Sequence, residues 1–129
     1  MNFFYVFLGG GIGAVCRYLV TTQIGMRLGT FFPFGTLTVN VIGSLLMGLI
    51  MGTLAVLART SGLLPEQVRL LLTVGFLGGF TTFSSFSLET LTLLRGGSYA
   101  LASVNIGVNV LLGLLAAGIG VYVAGELMR

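Results

Sequence analysis

Residues 75 to 87 read GFLGGFTTFSSFS, and the fold turns on this stretch. Gly75, Gly78 and Gly79 are followed by Thr81 and Thr82, a succession of weak helix formers. A helix entering here is expected to end near 75–79 and a second to start near 82–84, with a Thr or Ser capping the new half. The flanking residues are apolar enough to belong to a membrane span. Within a membrane such a break is tolerated only where protein buries it or where it lines a watery cavity. Its freed carbonyls suit a hard cation, and its N–H and hydroxyl groups suit an anion. A kink that serves packing alone is the other reading.

The rest of the chain has the composition of a membrane protein. Its 129 residues are 56% hydrophobic and 7% charged, with a mean hydropathy of +1.10. A helical span needs about 20 mostly apolar residues. Four segments qualify, at roughly 3–24, 34–58, 68–94 and 98–125, joined by short links. The expected architecture is an all-α membrane protein of four transmembrane helices, the third broken mid-membrane. Residues 1–129 form one such domain, with no soluble part. The first segment lacks an early basic region and a clear cleavage site, so a removed signal peptide is not expected. Cys16 is the single cysteine, which excludes an internal disulfide and a Cys-based metal cluster.

Lipid does not drive helices together by hydrophobicity; small residues and polar contacts do. Thr36, Asn40, Ser44, Gly48 and Gly52 recur at steps of four and form one ridge on the second span. Asn105, Asn109 and Gly113 do the same on the fourth, continuing to Ala117, and Gly9, Gly13 and Arg17 share a face of the first. Close packing accounts for the glycines. Asn40 and Asn109 are different, because an unpaired amide well inside a span is costly. They serve either as interhelical hydrogen bonds or as the lining of a polar path.

The charges say little about catalysis and more about topology. A net charge of +3, spread thinly, forms no nucleic-acid patch. Glu66 and Glu126 fall near span ends, whereas Arg17 and Glu89 fall within spans, where snorkelling or a polar partner is the ordinary role. No arrangement of carboxylate, His or Cys resembles a hydrolytic or redox site, so the chain is not expected to be an enzyme. With four spans, Arg59, Arg69 and Arg129 share one side of the membrane. Arg27 and Arg95 share the other, with Arg17 if it lies near that end. An excess of Lys and Arg in cytoplasmic loops normally sets orientation. Here the two sides nearly tie, which predicts insertion both ways and pairing of antiparallel copies.

Phe83 and Phe86 lie three apart on the second half of the broken span and share a face. A phenylalanine pair is ordinarily core. Ring edges carry partial positive charge, so presented edge-on they contact a small anion without trapping it, as conduction requires. Phe80 falls in the break itself and is read as packing.

GFLGGFTTFSSFSLE (75–89), GTLTVNVIGS (35–44) and GGGIGAVCRY (9–18) together resemble the small bacterial fluoride channels called Fluc or CrcB. The resemblance covers essentially the whole chain. It implies a fluoride-selective channel of the bacterial inner membrane that exports cytoplasmic fluoride passively and protects against its toxicity. It further implies an antiparallel homodimer of dual topology in membrane lipid, with two pores and a central structural sodium ion (Na+). Carried over by motif, Phe83 and Phe86 line the pore and Asn40 is a donor beside the ion. Thr36 is a polar-track threonine, Ser84, Ser85 and Glu89 flank the aromatic pair, and Arg17 lies near the aqueous vestibule. The carbonyls of Gly78 and Thr81 bind sodium. The fourth span departs from the family pattern of a tyrosine followed by serines, having Asn105, Asn109 and Gly113 instead. Asn109 is the residue there expected to keep a donor at the ion path.

Two other functions are alternatives. A small proton-coupled exporter of dual topology would want a carboxylate in its first span, where this chain has Arg17 and no acid. A non-transport membrane accessory protein would have no need of Thr36 and Asn40 on one ridge, nor of a glycine break holding two aromatic positions.

Overall fold

The computed structural model describes residues 1–59 and 64–128. Residues 60–63, between the second and third spans, and Arg129, one of the three arginines assigned to that side of the membrane, therefore lie outside the described residues. Four helical spans long and apolar enough to cross a membrane are present. Helix α1 runs Asn2–Leu28 and α2 runs Phe34–Arg59. The third span is α3 (Glu66–Leu70), a π-helical stretch Leu71–Leu77, α4 (Gly78–Phe80) and, beyond a gap at Thr81 and Thr82, α5 (Phe83–Arg95). Helix α6 (Tyr99–Leu127) is the fourth span.

The links between spans follow local chemistry. Gly97, at φ +75°, reverses the chain after α5, a left-handed conformation that costs glycine little. The Ser98 N–H then reaches the Leu93 carbonyl at 2.9 Å and the Gly97 N–H reaches that of Leu94 at 3.1 Å. These paired bonds satisfy carbonyls that the helix end leaves free. Between α1 and α2, Gly29 turns the chain at φ +79°. Phe32 is tucked inside and packs its ring 4.9 Å from that of Phe34.

The ridges decide how the spans pack. On α2 and α6 they lie side by side in step: Asn40 meets Asn109, Ser44 meets Gly113, and Gly48 meets the Ala117 backbone. Both numbers rise together, so the two helices run in the same direction. A Cβ on Gly48 would strike the Ala117 carbonyl, and one on Gly120 would strike that of Leu45. On α1, Gly9 faces Leu71 and Gly75, Gly13 faces Phe76 and Phe80, and Arg17 reaches Thr81. This second pair is parallel as well. The third span is thereby the most enclosed, with 33% of its apolar window buried against 11% for α1 and for α6. That enclosure is what a broken span requires.

The π-helical stretch has no signature in the sequence. Its geometry shows at Gly78, whose N–H reaches the Thr73 carbonyl five residues back. Such a turn carries one residue more than an α-turn and rotates everything after it. It lies immediately ahead of the break.

Gly48→Val forces a branched side chain into the Ala117 backbone. It is expected to cost about 1–3 kcal/mol, read as a lower unfolding midpoint in detergent. Gly118→Ala, where a Cβ meets nothing within 4 Å, is expected to leave the midpoint unchanged or raise it; equal losses in both would overturn this account of the α2–α6 contact.

Candidate functional site at the break

The first helical half ends at Phe80 and the second begins at Phe83, as the weak helix formers predict. Thr82 is the cap. In extended conformation at φ −151°, its hydroxyl oxygen accepts the Ser85 N–H at 3.1 Å, satisfying a donor that every new helix leaves open. The same hydroxyl donates to Ser85 Oγ at 3.1 Å and lies 3.2 Å from Ser84 Oγ. Three hydroxyls thus crowd the N-terminus of a 13-residue helix, the end whose dipole favours negative charge.

Phe80 and Phe83 have different surroundings. Phe80 is 6% exposed and stacks on Phe76 at 5.7 Å, so it is core. Phe83 is 79% exposed, its ring centroid 5.6 Å from that of Phe86 and tilted by 49°. Both line an open cleft of about 370 Å³, room for an ion with several waters. Asn40, Thr81, Thr82 and Asn109 line it too, together with Gly43 and Ser44 from α2.

Asn40 and Asn109 reach the cleft, and their side-chain donors are engaged within the protein. The Asn40 amide bonds the Thr82 peptide twice: its Oδ1 accepts the Thr82 N–H at 2.8 Å and its Nδ2 donates to the Thr82 carbonyl at 3.2 Å. The remaining Asn40 hydrogen goes to Asn109 Oδ1 at 3.1 Å. Asn109 in turn donates to the carbonyl and the Oδ1 of Asn105, at 3.0 and 2.9 Å. A side-chain amide has two N–H donors, and both sets are spent. Asn40 stands where the next turn of helix would have stood and closes the peptide that the break opens.

Other sequence-predicted residues fall outside this cleft. Thr36 and Glu89 meet each other, the Thr36 hydroxyl donating to Glu89 Oε1 at 2.7 Å. They line a second cleft with Thr21, Phe34 and Thr92. Glu89 Oε2 is buried there without a hydrogen-bond partner among the described residues. Arg17 is not at a span end: its Nη1 donates to the Thr81 carbonyl at 3.3 Å, placing a cation beside the break. Gly78 is exposed at the outer side of the break. Its carbonyl lacks the i+4 partner of an unbroken helix, because the Thr82 N–H goes to Asn40. Thr82 and Gly43 also line the cleft, and the sequence does not single them out for it. Of these, Gly43 carries a signal in its place on the α2 face between Asn40 and Ser44; a Cβ there would strike the Thr81 methyl.

No group of His, Cys, Asp and Glu that could hold a metal occurs among the described residues. The site is built from carbonyls, hydroxyls, amides and aromatic rings.

Thr82→Ala removes the cap and is expected to cost about 0.5–2 kcal/mol, measured by thermal unfolding in detergent. Thr38→Ala loses only a bond to the carbonyl four residues back and is expected to cost less; the reverse order would count against the capping role.

The family profile described as CrcB-like protein, Camphor Resistance (CrcB), matches residues 4–121. The chain is 44% identical over 127 residues to a protein of Syntrophotalea carbinolica, covering 98% of this chain and 100% of the relative. It is 48% identical over 123 residues to one of Magnetococcus marinus, covering 95% and 97%. Against one of Geobacter sulfurreducens it is 48% identical over 118 residues, covering 92% of each. All three relatives carry the name fluoride-specific ion channel FluC.

Proposed function

The chain belongs to the CrcB-like family, and we propose on that premise that it is a fluoride channel and not an enzyme. It is a multi-pass protein of the bacterial inner membrane that lets cytoplasmic fluoride leave down its gradient and so limits fluoride toxicity. The observation that carries this reading is the near-full-length identity of 44–48% to relatives named for fluoride conduction. The cleft at the break supports it chemically. Fluoride is small and strongly hydrated, so a path must replace part of its water shell. The Ser84, Ser85 and Thr82 hydroxyls can turn to meet it, and the Phe83 and Phe86 edges attract it weakly. The positive N-terminus of α5 and the Arg17 guanidinium favour an anion over a cation. None of these contacts is a full charge pressed on the ion, which keeps it free to leave. Thr36 and Glu89 belong to a second polar cleft on the same path.

The working form is an antiparallel homodimer of dual topology with two pores. Supporting this, the near-tied arginines leave orientation undetermined, and the cleft at the break is open on one side. Lipid does not tolerate a polar opening at that depth; a second copy would close it. A central sodium ion at the dimer axis is part of the same proposal. Gly78 fits it, with an exposed carbonyl lacking its helical partner. Thr81 fits through one lone pair only, since Arg17 holds the other. Two carbonyls from each protomer would hold the ion, which would supply positive charge where carbonyl dipoles converge.

Liposomes containing only the purified protein are expected to release fluoride rapidly and passively, far faster than chloride, as read with a fluoride electrode. Slow release that needs a proton gradient would instead favour an exporter. Phe83→Ile is expected to abolish that flux while the assembly persists on size exclusion; undiminished flux would remove Phe83 from the path. Replacing sodium by a large organic cation is expected to weaken the dimer of the unmodified protein and not that of Gly78→Leu, whose side chain already crowds the site. A dimer indifferent to sodium in the unmodified protein would rule the central cation out.

A further inference from the structure

The four amide and hydroxyl side chains behind the cleft are bonded in one continuous direction. The Thr82 N–H donates to Asn40 Oδ1 at 2.8 Å, and Asn40 Nδ2 donates to Asn109 Oδ1 at 3.1 Å. Asn109 Nδ2 donates to Asn105 Oδ1 at 2.9 Å, and Asn105 Nδ2 donates to Thr90 Oγ1 at 2.9 Å. The Thr90 hydroxyl then donates to the Phe86 carbonyl at 2.8 Å. The path leaves the backbone at the cap of α5, crosses α2 and α6, and returns to the backbone of α5 at Phe86.

The direction is set by the backbone. The Thr82 N–H can only donate, so the oxygen of Asn40 must face it. The Asn105 carbonyl can only accept and takes an Asn109 hydrogen at 3.0 Å, so the oxygen of Asn109 must face Asn40. No amide between these anchors can flip without leaving a buried donor facing a donor. Asn105 is 0% exposed, on a helix long and apolar enough to cross a membrane. Burying an amide there without full bonding would be costly, and an apolar residue would pack at no such risk. Bonds running one way polarise one another and hold a single arrangement.

Resting on the reading that fluoride passes the Phe83–Phe86 cleft, we propose that Asn105, Asn109 and Thr90 are positioning residues for the ion path. They fix the rotation of α5 about its axis through the two backbone groups that bracket its first turn. That rotation aims the ring edges of Phe83 and Phe86 and the Ser84 and Ser85 hydroxyls into the cleft. Neither Asn105 nor Thr90 lines the cleft, so their effect on an ion must travel through α5. The device uses the residues by which this fourth span departs from the tyrosine and serines of the family pattern.

Thr90→Val keeps the shape of the side chain and removes the hydroxyl, cutting two links at once. It is expected to lower fluoride efflux from liposomes about tenfold, the rate equivalent of about one net hydrogen bond. The same variant is expected to speed hydrogen–deuterium exchange of the backbone at 82–86. Thr90→Ser retains the hydroxyl and is expected to restore both. Should Thr90→Val fail to fold, Asn105→Ser, too short to reach Thr90, takes its place under the same criteria. Asn105→Ala and Asn109→Ala are expected to be non-additive, the double variant losing little more than either single one. Wild-type flux together with wild-type exchange in Thr90→Val, or losses that simply add, would overturn the proposal. If the unmodified protein conducts no fluoride, the channel reading fails; the exchange rates of Thr90→Val and Thr90→Ser then decide the relay alone.

Discussion

A peptide group released from its helix has nowhere to go in a bilayer, and the Thr82 peptide is such a group. The Asn40 amide answers both of its needs, accepting the N–H and donating to the carbonyl. This pair of hydrogen bonds lets the third span stop at Phe80 and restart at Phe83 without exposing bare backbone to hydrocarbon. Everything at the site follows from the restart. It creates a helix N-terminus at mid-membrane, gathers three hydroxyls around it, and turns Phe83 out while Phe80 stays in. It also frees the Gly78 carbonyl, because the amide that would have met it is engaged by Asn40.

Enclosure is the second requirement, and backbone proximity meets it. Gly9 and Gly13 bring α1 onto the third span, while Gly48 and Gly120 bring α2 and α6 together. Each contact is one where a Cβ would strike main chain. Arg17 completes the α1 face by taking the Thr81 carbonyl, so the same ridge that supplies glycines for contact ends in a cation at the break. Packing and electrostatics are built on one helix face.

Much of this was legible from residue type and spacing. The run of glycines and threonines at 75–82 marks a stop and a start to within a residue or two, because weak helix formers and caps act locally. Ridges at steps of four predict which faces meet, since helical geometry alone sets them. The division of Phe80 from Phe83 and Phe86 follows from the position of the break. The partners of polar groups were not legible. In the sequence Asn40 and Asn109 fit either an interhelical bond or a polar path; in the structure the Asn40 donors go to Thr82 and Asn109 and those of Asn109 to Asn105, a choice made only when three helices come together. Thr36 lies on the ridge of Asn40, yet one turn away it faces Glu89 on α5 and lines a different cleft. The π-helical turn at 71–77 has no local code either.

The two side-by-side helix pairs, α1 with the third span and α2 with α6, join segments that are not consecutive in the chain. During synthesis, then, each of these glycine faces must wait for a span made later than the next one. The glycine face of α2 enters the bilayer before α6 exists, and at about 5–20 residues per second it waits on the order of seconds for its partner. For that interval the amide of Asn40 lacks Asn109, and for the first part of it Thr82 as well. The chain is born with its most polar surfaces unclaimed, and its assembly is completed by the last helix to arrive.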